Sequence, residues 1–213
     1  MIRAALFDFG GVIVEGPWDG FARYERDHAL PDGFIRRVNA TNPDDNAWAR
    51  LERSEVDVAG FVALFEAESR ALGHEVDGLA VLTMLTGGGS AGRLRPQMVE
   101  ALRRCSERLV TGLLTNNFLT GDGAGMGAGP YAEVLAMFDG VVESSRTGVR
   151  KPDPRFYELA CELLEIEPAE AVFLDDLGVN LKPARTLGMT TIKVDDPDRA
   201  VAELEAVVGF PLS

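Results

Sequence analysis

Arg3-Ala4-Ala5-Leu6-Phe7-Asp8-Phe9-Gly10-Gly11-Val12-Ile13 is the stretch on which the reading of the chain turns. The apolar run Ala4 to Phe7 has the length of a strand buried on both faces of a parallel sheet. It delivers one acid, Asp8, and two glycines follow. In open α/β sheets the chemistry sits just beyond the carboxyl ends of the strands, where Asp8 falls. Gly10 and Gly11 let the backbone turn sharply and approach a ligand closely. Taken alone, the stretch is equally well read as a strand ended by an ordinary Asp-x-Gly turn.

The rest of the chain repeats the strand-end pattern. Leu109 to Leu114 is a second apolar run, closed by Thr115-Asn116-Asn117. Gly140 to Val142 is a third, followed by Arg150-Lys151-Pro152, and Ala171 to Leu174 a fourth, closed by Asp175-Asp176. Thr190 to Val194 is the last. Between them lie helical patterns: one opened by Pro96, one carrying Phe156, Leu159, Leu163 and Leu164, one over about Asn180 to Leu187, and one from Asp196-Pro197 to Gly209. Strands alternating with helices predict a doubly wound α/β fold with a parallel sheet covered on both faces.

The segment from Trp18 to about Met84 breaks the alternation. It reads as helical throughout, with Asp57 capping a helix that carries Phe61, Leu64, Phe65 and Leu72. Gly16-Pro17 and the run Gly87-Gly-Gly-Ser-Ala-Gly92 bracket it as the two sides of a hinge. The predicted organisation is a core of residues 1–15 and 93–213 with a helical cap, 16–92, inserted after the first strand. A second glycine-rich stretch (Gly121, Gly123, Gly125, Gly127, Gly129) lacks the Lys-Ser/Thr of a phosphate loop and is read as a flexible loop.

Composition bounds the partners. Acids number 34 against 21 bases, a formal charge of −13, which argues against nucleic acid or an anionic membrane. An anionic substrate stays possible, because a metal and a few local bases can reverse the sign in a cleft. Cys105 and Cys161 lack metal spacing and read as buried free thiols of a reducing compartment. With neither a signal-peptide pattern nor a spanning segment, a cytoplasmic protein is expected. His28 and His74 fall in the helical insert without acid or cysteine partners in metal spacing, and are read as packing or surface residues.

The strand-end residues make chemical sense together. A carboxylate such as Asp8 can attack phosphorus and form an aspartyl-phosphate. Mg²⁺ takes oxygen ligands, which Asp8, Asp176 and Asp175 can supply. Lys151, one of three lysines in the chain, can neutralise phosphoryl oxygens, and Thr115 with nearby amides can donate to them.

These residues resemble the four signatures of the haloacid dehalogenase superfamily: a strand-end Asp (Asp8), a strand-end Ser/Thr (Thr115), a Lys (Lys151) and an acidic pair (Asp175, Asp176). The resemblance covers nearly the whole chain. It is closest to the phosphatase domain at the N-terminus of soluble epoxide hydrolases, through Leu114-Thr115-Asn116, Arg150-Lys151-Pro152 and Phe173-Leu-Asp-Asp-Leu-Gly-Val-Asn-Leu-Lys-Pro-Ala-Arg185. It implies a Mg²⁺-dependent phosphatase acting on a small phosphorylated metabolite, monomeric or homodimeric. Asp8, Thr115 and Lys151 would be catalytic, Asn116 and Gly11 would contact substrate, and Asp8, the Gly10 carbonyl, Asp175 and Asp176 would hold the metal. One departure stands out. Family phosphatases usually carry a second Asp two residues after the nucleophile, as general acid and base, and here that position is Gly10. The expected consequences are slow turnover, a preference for weakly basic leaving groups, or an acid supplied by the substrate, the cap or Glu15. The alternatives left open are carbon–halogen hydrolysis and a non-catalytic relative that binds a phosphorylated ligand or a partner.

Overall fold

The computed structural model describes residues 1–86, 92–118 and 131–212. Residues 87–91 of the stretch 87–92, expected from the sequence to be one side of a hinge, and the glycine-rich stretch within 119–130 lie outside them. Five parallel strands form one sheet: β1 (Ala4–Phe7), β2 (Val110–Thr115), β3 (Gly140–Glu143), β4 (Ala171–Asp175) and β5 (Thr190–Lys193), in the order β3-β2-β1-β4-β5. The helices are α1 (Trp18–Asp27), α2 (Phe34–Ala40), α3 (Ala47–Glu52), α4 (Val58–Ala71), α5 (Gly78–Thr86), α6 (Pro96–Ser106), α7 (Ala132–Leu135), α8 (Ser144–Thr147), α9 (Pro154–Leu164), α10 (Gly178–Thr186) and α11 (Pro197–Val208).

Alternation along the strands divides the core. Ala5 and Phe7 of β1, Leu113 of β2, and Val172 and Leu174 of β4 pack on one face against Met98, Ala101, Leu102 and Cys105 of α6 and Ala200, Val201 and Leu204 of α11. Ala4, Leu6, Leu114, Ala171 and Phe173 pack on the other face, against Phe156, Tyr157, Ala160, Cys161 and Leu164 of α9 and Leu181 and Ala184 of α10. Successive side chains of a strand point to opposite faces, so a strand apolar at every position must be covered on both. Both cysteines are buried and free, as read from the sequence.

Helix α9 differs from its expected face. It buries Tyr157, Ala160 and Cys161 beside Phe156 and Leu164, and leaves Leu163 54% exposed. The rotation has a cause in Tyr157, whose hydroxyl donates to the Asn180 carbonyl at 2.6 Å and carries that side of the helix inward. Leu163 is left over Gly140 on the edge strand β3, where the sheet ends.

Helices α1–α5 have a hydrophobic cluster of their own, built from Phe21, Tyr24, Phe34, Ile35, Val38, Trp48, Leu51, Phe61, Phe65 and Val81, with Phe118 from the body packed against it. Carboxylates hold the starts of α4 and α2. Asp57 accepts the Gly60 N–H at 2.8 Å, and the nearly buried Glu25 accepts those of Gly33 and Ile35. His28 stacks on Tyr24 and His74 meets Phe34 edge-on, so both are packing residues. Among the described residues no helix is long and apolar enough to cross a membrane.

Candidate functional site

Register brings the strand ends together. Phe7 is level with Leu113 of β2 and Leu174 of β4, so Asp8, one residue on, stands beside Asp175. The Asp8 N–H bonds the Leu174 carbonyl at 2.9 Å and ties the two ends. By strand alternation Asp8 and Asp175 continue the face of Leu6 and Phe173, which is the face covered by α9 and the loop before it. Lys151 comes from that loop. Its ammonium is 1% exposed and lies 2.8 Å from Asp8 Oδ1 and 2.7 Å from Asp175 Oδ2. It also donates to the Leu114 carbonyl at 2.8 Å, so all three of its N–H bonds have acceptors.

Each arm of this centre is held from behind. Asn116 grips the Lys151 backbone at both ends of its amide: Oδ1 accepts the Lys151 N–H at 2.9 Å and Nδ2 donates to the Lys151 carbonyl at 3.0 Å. Asp175 is fully buried and accepts from the Leu177 N–H and from Asn180 Nδ2. Asp8 Oδ1 accepts both the Lys151 ammonium and the Phe9 N–H at 2.7 Å. Asp8 Oδ2 has no donor among the described residues. Thr115 is nearly buried, and its hydroxyl makes no hydrogen bond to a described residue, so both groups are available to a ligand.

Asp176 completes the cluster. Oxygens of Asp8, Asp175 and Asp176 lie within 4.8 Å of one another. Burial, joined by repulsion from Asp175 and Asp176 and opposed by Lys151, pushes the Asp8 carboxyl up to about 8. Burial and the Asp175 charge push Asp176 up to about 6, against a hydrogen bond from Trp18. Burial acts to lower the Lys151 ammonium, but Asp175 and Asp8 outweigh it and hold it above its ordinary value. Three carboxylates thus face one ammonium, so burial raises both acids and the neighbouring negative charges add to it. Hard oxygen donors in excess over positive charge, converging on one point, fit a divalent cation of the Mg²⁺ type.

A model of the haloacid dehalogenase-like hydrolases matches residues 2–188. The chain belongs to that family. It is 36% identical over 211 residues to acyl-CoA dehydrogenase family member 10 of Mus musculus, covering 99% of this chain and 19% of that protein. It is 36% identical over 220 residues to bifunctional epoxide hydrolase 2 of Sus scrofa, covering 99% of this chain and 40% of that one. The chain therefore spans well under half the length of these two relatives. A sesquiterpene phosphatase of Aspergillus oryzae is 27% identical, with 97% of each chain covered. Among solved structures, a haloacid dehalogenase-like hydrolase of Porphyromonas gingivalis shares the fold with a TM-score of 0.68 at 19% identity, covering 98% of both chains. A family enzyme of Bacteroides thetaiotaomicron, solved with magnesium and inorganic phosphate, does so with a TM-score of 0.57 at 22% identity, covering 91% of this chain and 94% of that one.

In this haloacid dehalogenase-like hydrolase, Asp8, Lys151, Asp175 and Asp176 meet in one cluster. Asn116 is expected from the sequence to touch substrate; in the structure its side-chain amide is engaged with the Lys151 backbone and positions that lysine. Glu15 is not among the converging carboxylates. Two residues have no individual sequence signal. Asn180 lies within the run shared with relatives, five residues after Asp175, where the first turn of α10 returns its amide to that acid. Trp18 lies 158 residues from Asp176, to which its indole N–H donates at 3.2 Å. Only folding pairs them.

Gly11 is required twice over. Its φ is +78°, and a Cβ there would stand 2.3 Å from Asp176 Oδ2. Its carbonyl accepts from Arg95 Nη1, which opens α6. Gly11→Ala therefore costs about 1–3 kcal/mol in backbone strain alone and displaces Asp176. The expected result is a lower melting temperature together with a weaker response to added Mg²⁺. A melt and Mg²⁺ response equal to wild type would show that Gly11 is not needed.

Proposed function

We propose that the protein is a Mg²⁺-dependent phosphatase that hydrolyses a small phosphomonoester through an aspartyl-phosphate on Asp8. The observation that carries the reading is the state of the Asp8 carboxylate. Oδ1 is fixed by Lys151 and the Phe9 N–H, while Oδ2 is free of donors among the described residues. A nucleophile needs one oxygen held for aim and the other left for attack. The relatives named as phosphatases support the same reaction class.

In the first step Asp8 Oδ2 bonds to phosphorus, and the P–O ester bond breaks with its electron pair leaving on the alcohol oxygen. Lys151 holds positive charge beside the forming bond, and the Thr115 hydroxyl donates to a phosphoryl oxygen. Water then attacks the aspartyl-phosphate, releasing phosphate and restoring the carboxylate. Asp8, Asp176 and Asp175, with the Gly10 carbonyl, would hold Mg²⁺, which supplies further positive charge to the phosphoryl oxygens. The helical insert 16–92 serves as the cap over a core of 1–15 and 93–213, and closes the site against water.

The test is hydrolysis of p-nitrophenyl phosphate with Mg²⁺ and with chelator. Turnover that disappears with chelator is expected, and turnover that survives it overturns the metal-dependent reading. Metal binding also has a readout apart from activity. A ligand at 100 times its dissociation constant adds about 2.7 kcal/mol to stability, and for a chain of this size each kcal/mol shifts the melting temperature by about 2–4 °C. Saturating Mg²⁺ is thus expected to raise the melt by about 5–10 °C. An unchanged melt would remove the metal from the site.

Gly10 bears on the leaving group. It has no side chain to donate a proton, and a Cβ built there meets no atom within 4 Å. The position can therefore accept an acid without rebuilding the turn. Gly10→Asp is expected to raise turnover of alkyl phosphates by about 10²–10⁴-fold, the usual contribution of general acid–base catalysis. Aryl phosphates gain less, since a phenolate leaves without a proton. Equal gains on both would show that the leaving group's proton is not what limits the natural sequence.

A further inference from the structure

The rim of the centre carries two side chains that the phosphoryl-transfer steps do not use. Trp18 opens α1, and its indole N–H is anchored on Asp176. Gly16 makes room for it: a Cβ there would lie 2.9 Å from Trp18 Nε1. The ring meets Phe21 edge-on, with centroids 6.1 Å apart, and 41% of the residue stays exposed. An indole held by its polar end to the acid cluster, with much of its body open, offers a flat apolar surface beside the reacting carboxylate.

Arg36 of α2 stands over that ring, its guanidinium 5.8 Å from the centroid. It is exposed and makes no ion pair with any described acid. Its neighbour Arg37 also makes no ion pair with a described acid but stands over Phe34, 5.0 Å from that centroid, so Arg36 is the arginine that meets Trp18. A guanidinium presents a planar fork suited to a carboxylate and also packs on aromatic faces.

We propose that Trp18 and Arg36 form the leaving-group subsite, and that the substrate is an aryl phosphate carrying a second anionic group such as a carboxylate. This inference rests on the phosphatase reading above. Three independent features agree on it. Gly10 supplies no acid, so a leaving group stable as its anion is favoured. Trp18 supplies the surface on which an aromatic ring stacks. Arg36 supplies the charge for an anion at the far end of that ring. When Asp8 Oδ2 bonds to phosphorus, the aryl O–P bond breaks and the electron pair departs on the phenolate oxygen. No proton donor is needed in that step.

The test uses wild-type protein with Mg²⁺ and three phosphonates whose P–C bond is not hydrolysed: methylphosphonate, phenylphosphonate and 4-carboxyphenylphosphonate. Affinities are measured by titration calorimetry. Phenylphosphonate is expected to bind about threefold or more tightly than methylphosphonate, and the carboxylated ligand about tenfold more tightly than phenylphosphonate. Arg36→Gln should bring the second ratio close to one, and Trp18→Ala should do the same to the first. Equal affinities in wild type, no binding by any of the three, or ratios unmoved by the substitutions would each overturn the subsite. Turnover of p-nitrophenyl phosphate by the same preparation reports separately on the phosphatase reading. Turnover with flat ratios refutes the subsite alone, and ratios without turnover refute the chemistry alone.

Discussion

Asp8→Asn is expected to reduce hydrolysis of an aryl phosphate by roughly 10⁴-fold or more, because loss of a nucleophile removes the covalent route and leaves only binding and electrostatic help. The substitution is nearly isosteric. Its Oδ1 can still accept the Phe9 N–H, and Lys151 keeps Asp175 as a partner. Activity should therefore fall without loss of fold. Stability should move the other way in the presence of chelator. The Asp8 carboxyl is raised from 3.8 to about 8 by burial and by the neighbouring acids. Between those values the native state holds a proton that the unfolded chain has released. Where the native state binds more protons, stability falls as pH rises. Asn carries no such group, so Asp8→Asn should gain on wild type as pH rises through that window. Melting curves at pH 5 and pH 8.5 check this. A variant that loses stability relative to wild type at the higher pH would show that Asp8 is not a strained acid in the metal-free protein.

Lys151→Met is expected to have the largest effect on stability. The ammonium is 1% exposed and is the one cation whose side chain bonds both Asp8 and Asp175. Met has similar length and no charge. Its introduction leaves two buried carboxylates facing each other and removes the donor that Lys151 gives the Leu114 carbonyl. Removing one partner of a buried charge network typically costs about 3–5 kcal/mol, which for this chain length lowers the melt by about 6–20 °C. Thermal unfolding with chelator measures it. Lys151→Met with Asp175→Asn should recover part of the loss, since one of the stranded charges is then gone. A single variant that melts within about 2 °C of wild type would mean that the two acids share a proton and need no cation. Turnover should vanish in both variants, because the charge beside the forming bond is missing.

Much of this site is legible in the sequence because its parts are strand ends. An apolar run fixes a strand, a parallel sheet aligns the carboxyl ends, and Asp8, Thr115 and Asp175-Asp176 each directly end such a run or close it. Local chemistry is legible for the same reason. Asp57 and Asp196 cap the helices expected of them, and Gly209 ends α11 in the left-handed conformation. The face of α9 was not legible, because hydrophobicity alone favours Leu163, while the hydrogen bond from Tyr157 to the Asn180 carbonyl turns the helix by a fraction of a turn.

What the sequence by itself determined is the layered α/β architecture, the helical insert after β1 and the identity of the converging acids and lysine. Periodicity and spacing are local quantities, and they suffice for these. What only the tertiary structure decided is how those groups are held and what surrounds them. Asn116 reaches across 35 residues to the Lys151 backbone, and Trp18 crosses 158 to touch Asp176. No local pattern encodes such pairs. They follow from which loops the sheet order places side by side, and among the described residues Asp8 Oδ2 is left without a donor because Lys151 and the Phe9 N–H both go to Oδ1.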